Sequence, residues 1–471
     1  MPTQEVARAA RPSALLQSGE RRRRAVLLDG GGPDSWVDGE AIYADDPAAT
    51  LTVFPSGWGH WSSGATDTWR WGDPLQQWDA FLAAGRNAIG ADAPGAGFLT
   101  VLSYDLKHWI EALPRGLPWP RLPVLYCARY DWSYRANYRS GAAHIAAASA
   151  AMLAEQVRRY ERSGDLQVAM ASAARRRGAP PARHGDLKVA ATLGCLHPSL
   201  DKPAYTTMLA RAHDYIAAGD IYEVNLAQRF TAAASLDDAP ALFAAWSERY
   251  PMPFAAYVDG GKWIAVSNSP ECFFACDGAQ VATFPIKGTR RLDSGAAAAA
   301  RAAELRSDPK EHAEHVMVVD LERNDLGRIC EVGSVEVADF AAVRQYPVLV
   351  HMVSEVRGRL RPTTPLVAML RAMFPGGSIS GAPKIRALQI IEELEPAARG
   401  FYTGAIGWTE LNGYSRFSIA IRTAVLAGRG LTFWAGGGIV ADSDPDREYA
   451  ETLLKSETLF RALGSLERRS A

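Results

Sequence analysis

The stretch SLDKPAYTTMLARAHDYIAAGDIYEVNLAQRF, residues 199–230, contains a helix pattern followed at once by a strand pattern. Ser199 is a candidate N-cap, and apolar residues follow at helical spacing as far as Ile216. Gly219 interrupts that spacing, and the run IYEVNLAQRF after it has the composition of a strand. Helical patterns alternate with strands from here to the end of the chain. The sequence therefore predicts that this region contains both helices and strands.

The chain before this stretch has a different pattern. From Ala25 to about Tyr160, short β-type runs such as TLTVFPSGW and GFLTVLSYDL are separated by Gly, Pro and Asp. Residues 170–186 are rich in Ala, Arg, Gly and Pro and have no apolar periodicity, which is typical of a surface linker. We therefore predict a mostly antiparallel β-rich lobe over residues 25–169, a linker over 170–186, and a region of helices and strands over 187–465.

Residues 1–24 are rich in arginine, including the run Arg21–Arg24. A targeting peptide and a disordered basic leader both fit such a composition. Glu5 and Glu20 favour the leader, because targeting peptides of this kind are poor in acidic residues.

Composition restricts the classes of partner and the compartment. The 471 residues include 51 basic and 52 acidic ones, so no whole-molecule field attracts nucleic acid or anionic lipid. No apolar run approaches the ~18 residues that a membrane span requires. The five cysteines, an odd and scattered set that fits a reducing cytoplasm rather than a disulfide framework, are Cys127, Cys195, Cys272, Cys276 and Cys330. Cys272 and Cys276 lack a second ligand pair, so buried apolar residues are favoured over a zinc site.

Two pairs of acidic residues have helical i, i+3 spacing, Glu311 with Glu314 and Glu448 with Glu451. This spacing places both carboxylates of a pair on one helix face. A solvated helix face is one interpretation, and oxygen ligation of Mg²⁺ is the other. Two such pairs beside apolar stretches favour Mg²⁺, which uses one or two protein carboxylates together with water and an anionic substrate.

Two glycine-rich segments, residues 375–384 (PGGSISGAPK) and 435–446 (AGGGIVADSDPD), could present backbone N–H groups to an anion. Simple turns are the alternative interpretation. Because they precede helices that carry Lys384 and Glu448, we consider both segments candidate cradles for a carboxylate.

Lys287 lies in FPIKGT, between a strand-like run and the turn Gly288–Thr289. Spacing alone favours a surface lysine at a strand end. The alternative is a partly desolvated lysine, since Phe284 and its apolar neighbours would favour the neutral, nucleophilic amine. Glu271, in SNSPECFF, is an acid in an apolar setting, which raises a carboxyl pKa and suits a general acid.

Nine segments, in order over about residues 199–460, closely resemble the chorismate-utilising enzymes. They are IYEVNLAQRF, SNSPECFF, FPIKGTRR, DPKEHAEHVMVVDLERNDLGRI, HMVSEVRGRL, MFPGGSISGAPKIRALQIIEELEP, RGFYTGAIGW, FSIAIRT and GGGIVADSDPDREYAETLLKSE. This resemblance implies an α+β fold of two face-to-face, largely antiparallel β-sheets flanked by helices and built by both halves of the chain. Residues 170–186 would then separate two lobes, and residues 187–465 would form the chorismate-binding catalytic region.

The resemblance also implies a role for each matching residue. Glu314 and Glu451 match Mg²⁺ ligands, while Glu311 and Glu448 match acids that reach the metal directly or through water. Positions matching substrate contacts are Gly288, Thr289, Tyr402, Arg422, Gly436, Gly437 and Gly438. Lys455 and His351 match further active-site positions.

Position 287 discriminates between branches of this family, because members that make anthranilate carry Ala there, whereas members that aminate chorismate at C4 typically carry Lys. The resemblance therefore implies that Lys287 attacks C2 of chorismate while Glu271 protonates the departing C4 hydroxyl. Ammonia would then enter at C4, giving 4-amino-4-deoxychorismate, from which a separate lyase would make 4-aminobenzoate. Glu223 stands where aminating members often have Gln.

The resemblance implies two further partners. The chain has no G-x-C-x-G nucleophile elbow, so a separate glutaminase subunit would supply the ammonia. LLDGG (residues 27–31) and PMPF (residues 251–254) match parts of a tryptophan pocket in the N-terminal lobe of relatives. Two alternatives stay open: amination at C2 with loss of pyruvate, and a non-catalytic paralogue that binds chorismate or tryptophan.

Overall fold

The structure is a computed structural model. It describes residues 3–5, 12–16, 24–30, 39–64, 66–90, 93, 95–118, 121–138, 140–162, 196–292, 298–346 and 349–470. The predicted linker over 170–186 and Cys195 lie outside these residues.

Two antiparallel sheets form the frame of the described chain, each with twelve strands. The first consists, from one edge to the other, of β1 (Thr3–Glu5), β10 (Ala143–Ala147), β9 (Trp132–Asn137), β3 (Glu40–Ala44), β2 (Val26–Leu28), β13 (Phe254–Asp259), β14 (Trp263–Ser269), β23 (Thr423–Ala427), β24 (Gly430–Ile439), β12 (Glu223–Ala233) and β11 (His197–Pro198), with β20 (Gly381–Ala382) also paired to β12.

The second sheet runs through β17 (Ile286–Arg291), β19 (Leu349–Arg359), β16 (Gln280–Thr283), β15 (Cys272–Cys276), β22 (Ser415–Ile419), β21 (Ala405–Glu410), β7 (Gly97–Leu102), β8 (Leu125–Tyr130), β4 (Ala49–Val53), β5 (Trp58–Ser63) and β6 (Thr66–Trp71), with β18 (Glu336–Tyr346) on β19. Each sheet contains strands from both halves of the chain. The two halves therefore form one framework, and neither half supplies all the strands of a sheet.

The described helices are α1 (Pro74–Ile89), α2 (Ala150–Arg162), α3 (Lys202–Ala217), α4 (Ala239–Arg249), α5 (Ala298–Ser307), α6 (Pro309–Gly327), α7 (Leu366–Met373), α8 (Lys384–Leu394) and α9 (Pro445–Ser470). None of them is both long and apolar enough to cross a membrane. One apolar cluster joins α4 and α9 to the first sheet, and another joins α1, α7 and α8 to the second.

The N-cap of α3 differs from the prediction. Asp201 caps this helix, because its side chain accepts a hydrogen bond from Ala204 N at 2.9 Å. The Ser199 hydroxyl instead accepts a hydrogen bond from Arg229 N on β12, at 3.1 Å. The predicted cap was therefore two residues early, since both residue types can cap a helix and the neighbouring strand engages the serine.

The two sheets pack face to face through a layer of buried apolar residues drawn from both. Trp263 on β14 contacts Tyr126 on β8 edge to face, with ring centroids 5.3 Å apart, and contacts Phe401 at 4.7 Å. Such edge-to-face pairs add to the free energy gained by burying the rings. The predicted α+β fold of two face-to-face, largely antiparallel sheets flanked by helices is thus confirmed.

We expect Trp263→Ala to lower the free energy of unfolding by about 3–5 kcal/mol, because it leaves a cavity between the sheets. The matched control is Lys262→Ala in the exposed turn one residue earlier, which should change stability by less than about 0.5 kcal/mol. Urea unfolding of both variants measures the difference. Equal midpoints for the two would mean that this contact does not hold the sheets together.

Two short pieces of the predicted leader are folded. Thr3–Glu5 pairs with β10, with Thr3 opposite Ala146, and Pro12–Leu16 forms a short 3₁₀ helix. Leu15 in that helix is buried in the cluster that covers the first sheet. A disordered leader over residues 1–24 is therefore wrong for these two pieces, since sheet pairing and burial of one leucine hold them.

Candidate active site

A cavity of about 910 Å³ lies among β12, β17, β19, β24, α6 and α9. The catalytic, substrate-contact and metal-ligand positions that the family resemblance implies all line this cavity: Glu271, Lys287, Gly288, Thr289, Glu311, Glu314, His351, Tyr402, Arg422, Gly436, Gly437, Gly438, Glu448, Glu451 and Lys455. These residues are separated by up to 184 positions in the chain, and the two-sheet framework brings them together.

The glycine-rich segment over 375–384 only partly reaches the cavity. Ser378 and Ile379 line it, whereas Lys384 pairs with Asp325 and donates a hydrogen bond to Met373 O at 3.2 Å. Lys384 is therefore a structural ion-pair residue, and its expected part in a carboxylate cradle is wrong. Its partner Asp325 is buried on α6, which explains why the lysine turns away from the cavity.

Lys287 points into the cavity from a bulge of β17. The register between β17 and β19 shifts between Lys287 and Thr289, and Gly288 adopts a φ of 75° that favours glycine. Lys287 Nζ lies 2.5 Å from Glu223 Oε1, and the two side chains are only 12% and 1% exposed.

This ion pair decides the protonation state of Lys287. Burial lowers the pKa of the amine, but the carboxylates of Glu223, Glu314 and Glu271 together raise it more, so the pKa of Lys287 lies above its usual value. The expectation that apolar neighbours keep Lys287 neutral is therefore wrong for this arrangement. Glu223, the buried carboxylate paired with Lys287, belongs to β12 and is far away in the sequence, so local composition could not show its effect on this pKa.

Glu271 lies in the short connection between β14 and β15 and is buried. Its carboxyl group accepts hydrogen bonds from Ser378 Oγ at 2.7 Å and from Ile286 N at 3.4 Å. Burial raises the pKa of Glu271 to about 7, although these hydrogen bonds and Lys287 act in the opposite direction. Glu271 can thus carry a proton near neutral pH, as its apolar setting predicted.

Basic side chains lie beside both carboxylates of the acidic pair of α6. Glu311 accepts a hydrogen bond from Arg290 Nη1 at 2.8 Å, and Glu314 lies 3.8 Å from Lys310 Nζ. Burial raises the pKa of Glu314 to about 7. Both carboxylates line the cavity, so this face of α6 is not a fully solvated one.

The acidic pair of α9 faces three consecutive glycines of β24, Gly436–Gly438, which are strand residues paired with β12 and not the turn that the sequence suggested. Glu448 accepts a hydrogen bond from Ser443 Oγ at 2.8 Å, and Glu451 pairs with Lys455 at 2.7 Å. A Cβ atom on Gly437 would lie 3.2 Å from Glu448 Oε2 and 3.7 Å from Glu451 Oε1. The absence of a side chain at Gly437 therefore lets the backbone of β24 approach both carboxylates. Lys455 also donates a hydrogen bond to Gly436 O at 2.7 Å.

The donor chemistry of these helices fits Mg²⁺. No three His, Cys, Asp or Glu side chains form a metal-holding group within the described part of the chain. Glu314 from α6 and Glu451 from α9 nevertheless line one cavity, and Mg²⁺ needs only one or two carboxylates when an anionic ligand and water complete its shell. Lys310 and Lys455 would have to release these carboxylates for the ion to bind.

Arg422 is suited to grip an anionic ligand. Burial lowers the pKa of its guanidinium to about 10, so it stays charged at neutral pH. It forms no ion pair with an acidic side chain in the described ranges, and its guanidinium contacts Met252 Sδ at 3.9 Å. A partly buried guanidinium without an acidic partner favours a carboxylate that can accept two parallel hydrogen bonds.

His351 is neutral in this site. Burial and Arg422 lower the pKa of His351 to about 3. Its Nδ1 lies 2.8 Å from Thr289 Oγ1, so the imidazole and the hydroxyl share one hydrogen bond. His351 can therefore orient Thr289 beside the cavity, and it carries no charge there.

The sequence did not reveal Arg399 and Trp434, which also line the cavity. Arg399 is buried, pairs with Glu395 at 2.6 Å, and lies over the Tyr402 ring at 5.5 Å from its centroid. Tyr402 stacks on Trp434 with centroids 6.0 Å apart. The i, i+4 spacing of Glu395 and Arg399 was the one available signal.

The two segments that resemble a tryptophan pocket lie together. Strand β2 pairs with β13, and a Cβ atom on Gly30 would lie 1.8 Å from Pro253 O. Gly30 is therefore required for this close approach of two backbones. Gly31 lies outside the described residues, and tryptophan binding stays a prediction.

Comparisons with known proteins identify the family. The family model described as chorismate binding enzyme matches residues 24–461. Anthranilate synthase component 1 of Cereibacter sphaeroides is 35% identical over 406 residues, which cover 83% of this chain and 78% of that protein. Aminodeoxychorismate synthase component 1 of Bacillus subtilis is 40% identical over 273 residues, which cover 58% of each chain.

Among solved structures, anthranilate synthase component I from Streptococcus pneumoniae superposes with a TM-score of 0.72 at 29% identity. The match covers 90% of this chain and 92% of that one. The family model, the long alignment and the shared fold agree with the resemblance seen in the nine sequence segments. The chain belongs to the chorismate-binding enzyme family.

Proposed function

We propose that this protein aminates chorismate at C4 and releases 4-amino-4-deoxychorismate, using ammonia from a separate glutaminase subunit in the cytoplasm. The observation that carries this proposal is the amine of Lys287, held in the cavity by Glu223 and flanked by the protonatable Glu271. Family members that make anthranilate carry Ala at this position. An alanine could not provide a nucleophile.

The chemistry proposed for the chain divides into two substitutions. Lys287 Nζ forms a bond to C2 of chorismate as the C4–O bond breaks, and Glu271 gives its proton to the departing hydroxyl, which leaves as water. Ammonia then bonds to C4 while the C2–N bond breaks and the lysine leaves as an amine. The enolpyruvyl group stays on the product throughout.

Substrate binding would use the rest of the cavity. Glu314 and Glu451, supported by Glu311 and Glu448, would hold Mg²⁺, which when bound would neutralise the ring carboxylate of chorismate. Arg422 would bind a carboxylate, and the three consecutive glycines of β24 would offer backbone N–H groups.

Anthranilate formation is the second candidate, because the Cereibacter sphaeroides relative with the longer alignment is an anthranilate synthase component 1. That reaction places the amine at C2 and expels pyruvate. A non-catalytic paralogue is less well supported, since Glu271, Lys287, Glu314 and Glu451 are all present and line one cavity.

The product formed from chorismate, Mg²⁺ and an ammonium salt separates these candidates. We expect a product that keeps its enolpyruvyl group and yields 4-aminobenzoate only after a 4-amino-4-deoxychorismate lyase is added. Chromatography with mass detection follows both species, and a reaction with chelator is the control. Fluorescent anthranilate formed without lyase would contradict the proposed function, and a failure to consume chorismate with either ammonium or a glutaminase would favour the non-catalytic paralogue.

A further inference from the structure

Among the residues that the structure describes, the one charged group in direct contact with Glu223 is the Lys287 amine. It begins β12, is 1% exposed, and its Oε1 accepts hydrogen bonds from Lys287 Nζ at 2.5 Å and from Asn225 Nδ2 at 3.3 Å. Glu223 does not itself line the cavity, so its carboxylate lies behind the lysine.

The fold reserves space for this pair. Gly438 on β24 lies opposite Asn225 on β12. A Cβ atom on Gly438 would lie 2.2 Å from Glu223 Oε1, which is closer than atoms tolerate, and 3.2 Å from Lys287 Nζ, which is a tight contact. Glycine at position 438 therefore leaves room for the Glu223 carboxylate and the Lys287 amine to meet.

The proposed function requires a proton acceptor beside Lys287. An ammonium has no lone pair, so Lys287 must lose a proton before it can bond to carbon. The groups that face Lys287 are Glu223 from β12, Glu271 from the β14–β15 connection, Glu314 and the neutral His315 from α6, and Glu451 from α9.

Only one of these groups suits that task. Glu271 has to keep its own proton for the departing hydroxyl, while Glu314 and Glu451 are paired with Lys310 and Lys455. Glu223 alone lies within hydrogen-bond distance of Lys287 Nζ among the described residues. It is also buried away from water, where a proton can pass along an existing hydrogen bond.

We propose that Glu223 takes one proton from the Lys287 ammonium when chorismate binds, and returns it when the lysine is displaced. The N–H bond pair stays on Lys287 Nζ as the lone pair that attacks C2, and Glu223 becomes a neutral carboxylic acid. After ammonia displaces the lysine, the free amine recovers the same proton from Glu223. This inference rests on the proposed function and adds the residue that activates its nucleophile.

Glu223→Gln tests the proposal through its pH dependence. In this variant Lys287 must lose its proton to water before chorismate binds. We expect the ratio of variant to parent rates to be about 1/100 at about pH 6 and to rise about tenfold per pH unit until the amine is deprotonated. Chorismate consumption at a fixed concentration of free ammonia measures both rates, and the ratio cancels titrations common to the two enzymes.

Two variants make the result specific. Glu223→Asp keeps a carboxylate, so its ratio to the parent should stay constant with pH even if its rate is lower. Glu322→Gln removes another buried carboxylate, one that accepts a hydrogen bond from Gly377 N, and should also give a constant ratio. A Glu223→Gln ratio that is constant with pH, or that exceeds one at low pH, would overturn the proposal.

A second measurement keeps this inference separate from the proposed function. The reactivity of Lys287 towards an amine-labelling reagent, followed by peptide mass spectrometry against pH, reports its titration without any substrate. We expect Lys287 to become reactive at lower pH in Glu223→Gln than in the parent, because burial then acts without the ion pair. Unchanged labelling would show that Glu223 does not control the titration of Lys287 and would contradict this inference. Shifted labelling together with anthranilate as the product would contradict only the proposed function.

Discussion

Lys287→Ala is expected to slow amination of chorismate by about 10³-fold or more, while the dissociation constant for chorismate changes by less than about tenfold. The proposed route needs the amine as a nucleophile, and no other lysine Nζ in the described chain pairs with Glu223. Binding should survive because the carboxylates of α6 and α9 and the Arg422 guanidinium are untouched. Steady-state rates with ammonium salt and equilibrium binding by calorimetry measure the two effects.

Lys262→Ala is the matched control for this loss. Lys262 is an exposed lysine in the turn between β13 and β14, outside the cavity, and its removal should leave amination within about twofold. Amination by Lys287→Ala at the parent rate would rule out the covalent route. Loss of binding along with rate would instead make Lys287 a substrate contact.

Much of the fold could be predicted because its elements carry local signals. Gly219 separates the helix and strand of residues 199–230, and α3 and β12 form on either side of it. Apolar runs broken by Gly, Pro and Asp predict the strands of the first half. The face-to-face pairing of the two sheets has no such signal, since it depends on contacts such as Trp263 with Tyr126 between distant segments, and it came from family resemblance.

The sequence predicted most of the residues that line the candidate site, but it did not predict their ion pairs and charge states. The i, i+3 acidic pairs and the run of three glycines are local patterns, and they line the cavity. The charge on Lys287 depends on Glu223, 64 residues away, and the partner of Lys384 is 59 residues away on α6. Spacing along the chain cannot show which buried carboxylate meets which lysine, because tertiary packing fixes those pairs.

The same limit applies to capping and burial. Ser199 and Asp201 are both suitable N-caps by residue type, and only the neighbouring strand decides between them. Leu15 lies in an arginine-rich segment, yet it reaches the apolar cluster over the first sheet. Local composition shows which residues can cap a helix or be buried, whereas the packing around each residue determines whether it does so.

Glu271→Gln is expected to lower the amination rate by about 10²–10⁴-fold, because glutamine cannot give a proton to the departing C4 hydroxyl. In the parent enzyme the acid must be protonated. Because burial raises the pKa of Glu271 to about 7, kcat/KM should fall about tenfold per pH unit above that value at a fixed concentration of free ammonia. A parent profile that is constant through this range would argue against Glu271 as the acid.

Ser378→Ala provides the sharper form of this test, since it leaves the carboxyl group in place. The hydroxyl of Ser378 donates a hydrogen bond to Glu271 Oε1 at 2.7 Å, which stabilises the charged carboxylate and holds its pKa down. Removing this donor should raise the pKa of Glu271, so the falling limb of kcat/KM should move to higher pH while Glu271→Gln has no such limb. A shift to lower pH would mean that another group controls the limb, because losing a donor to the charged form cannot make an acid stronger.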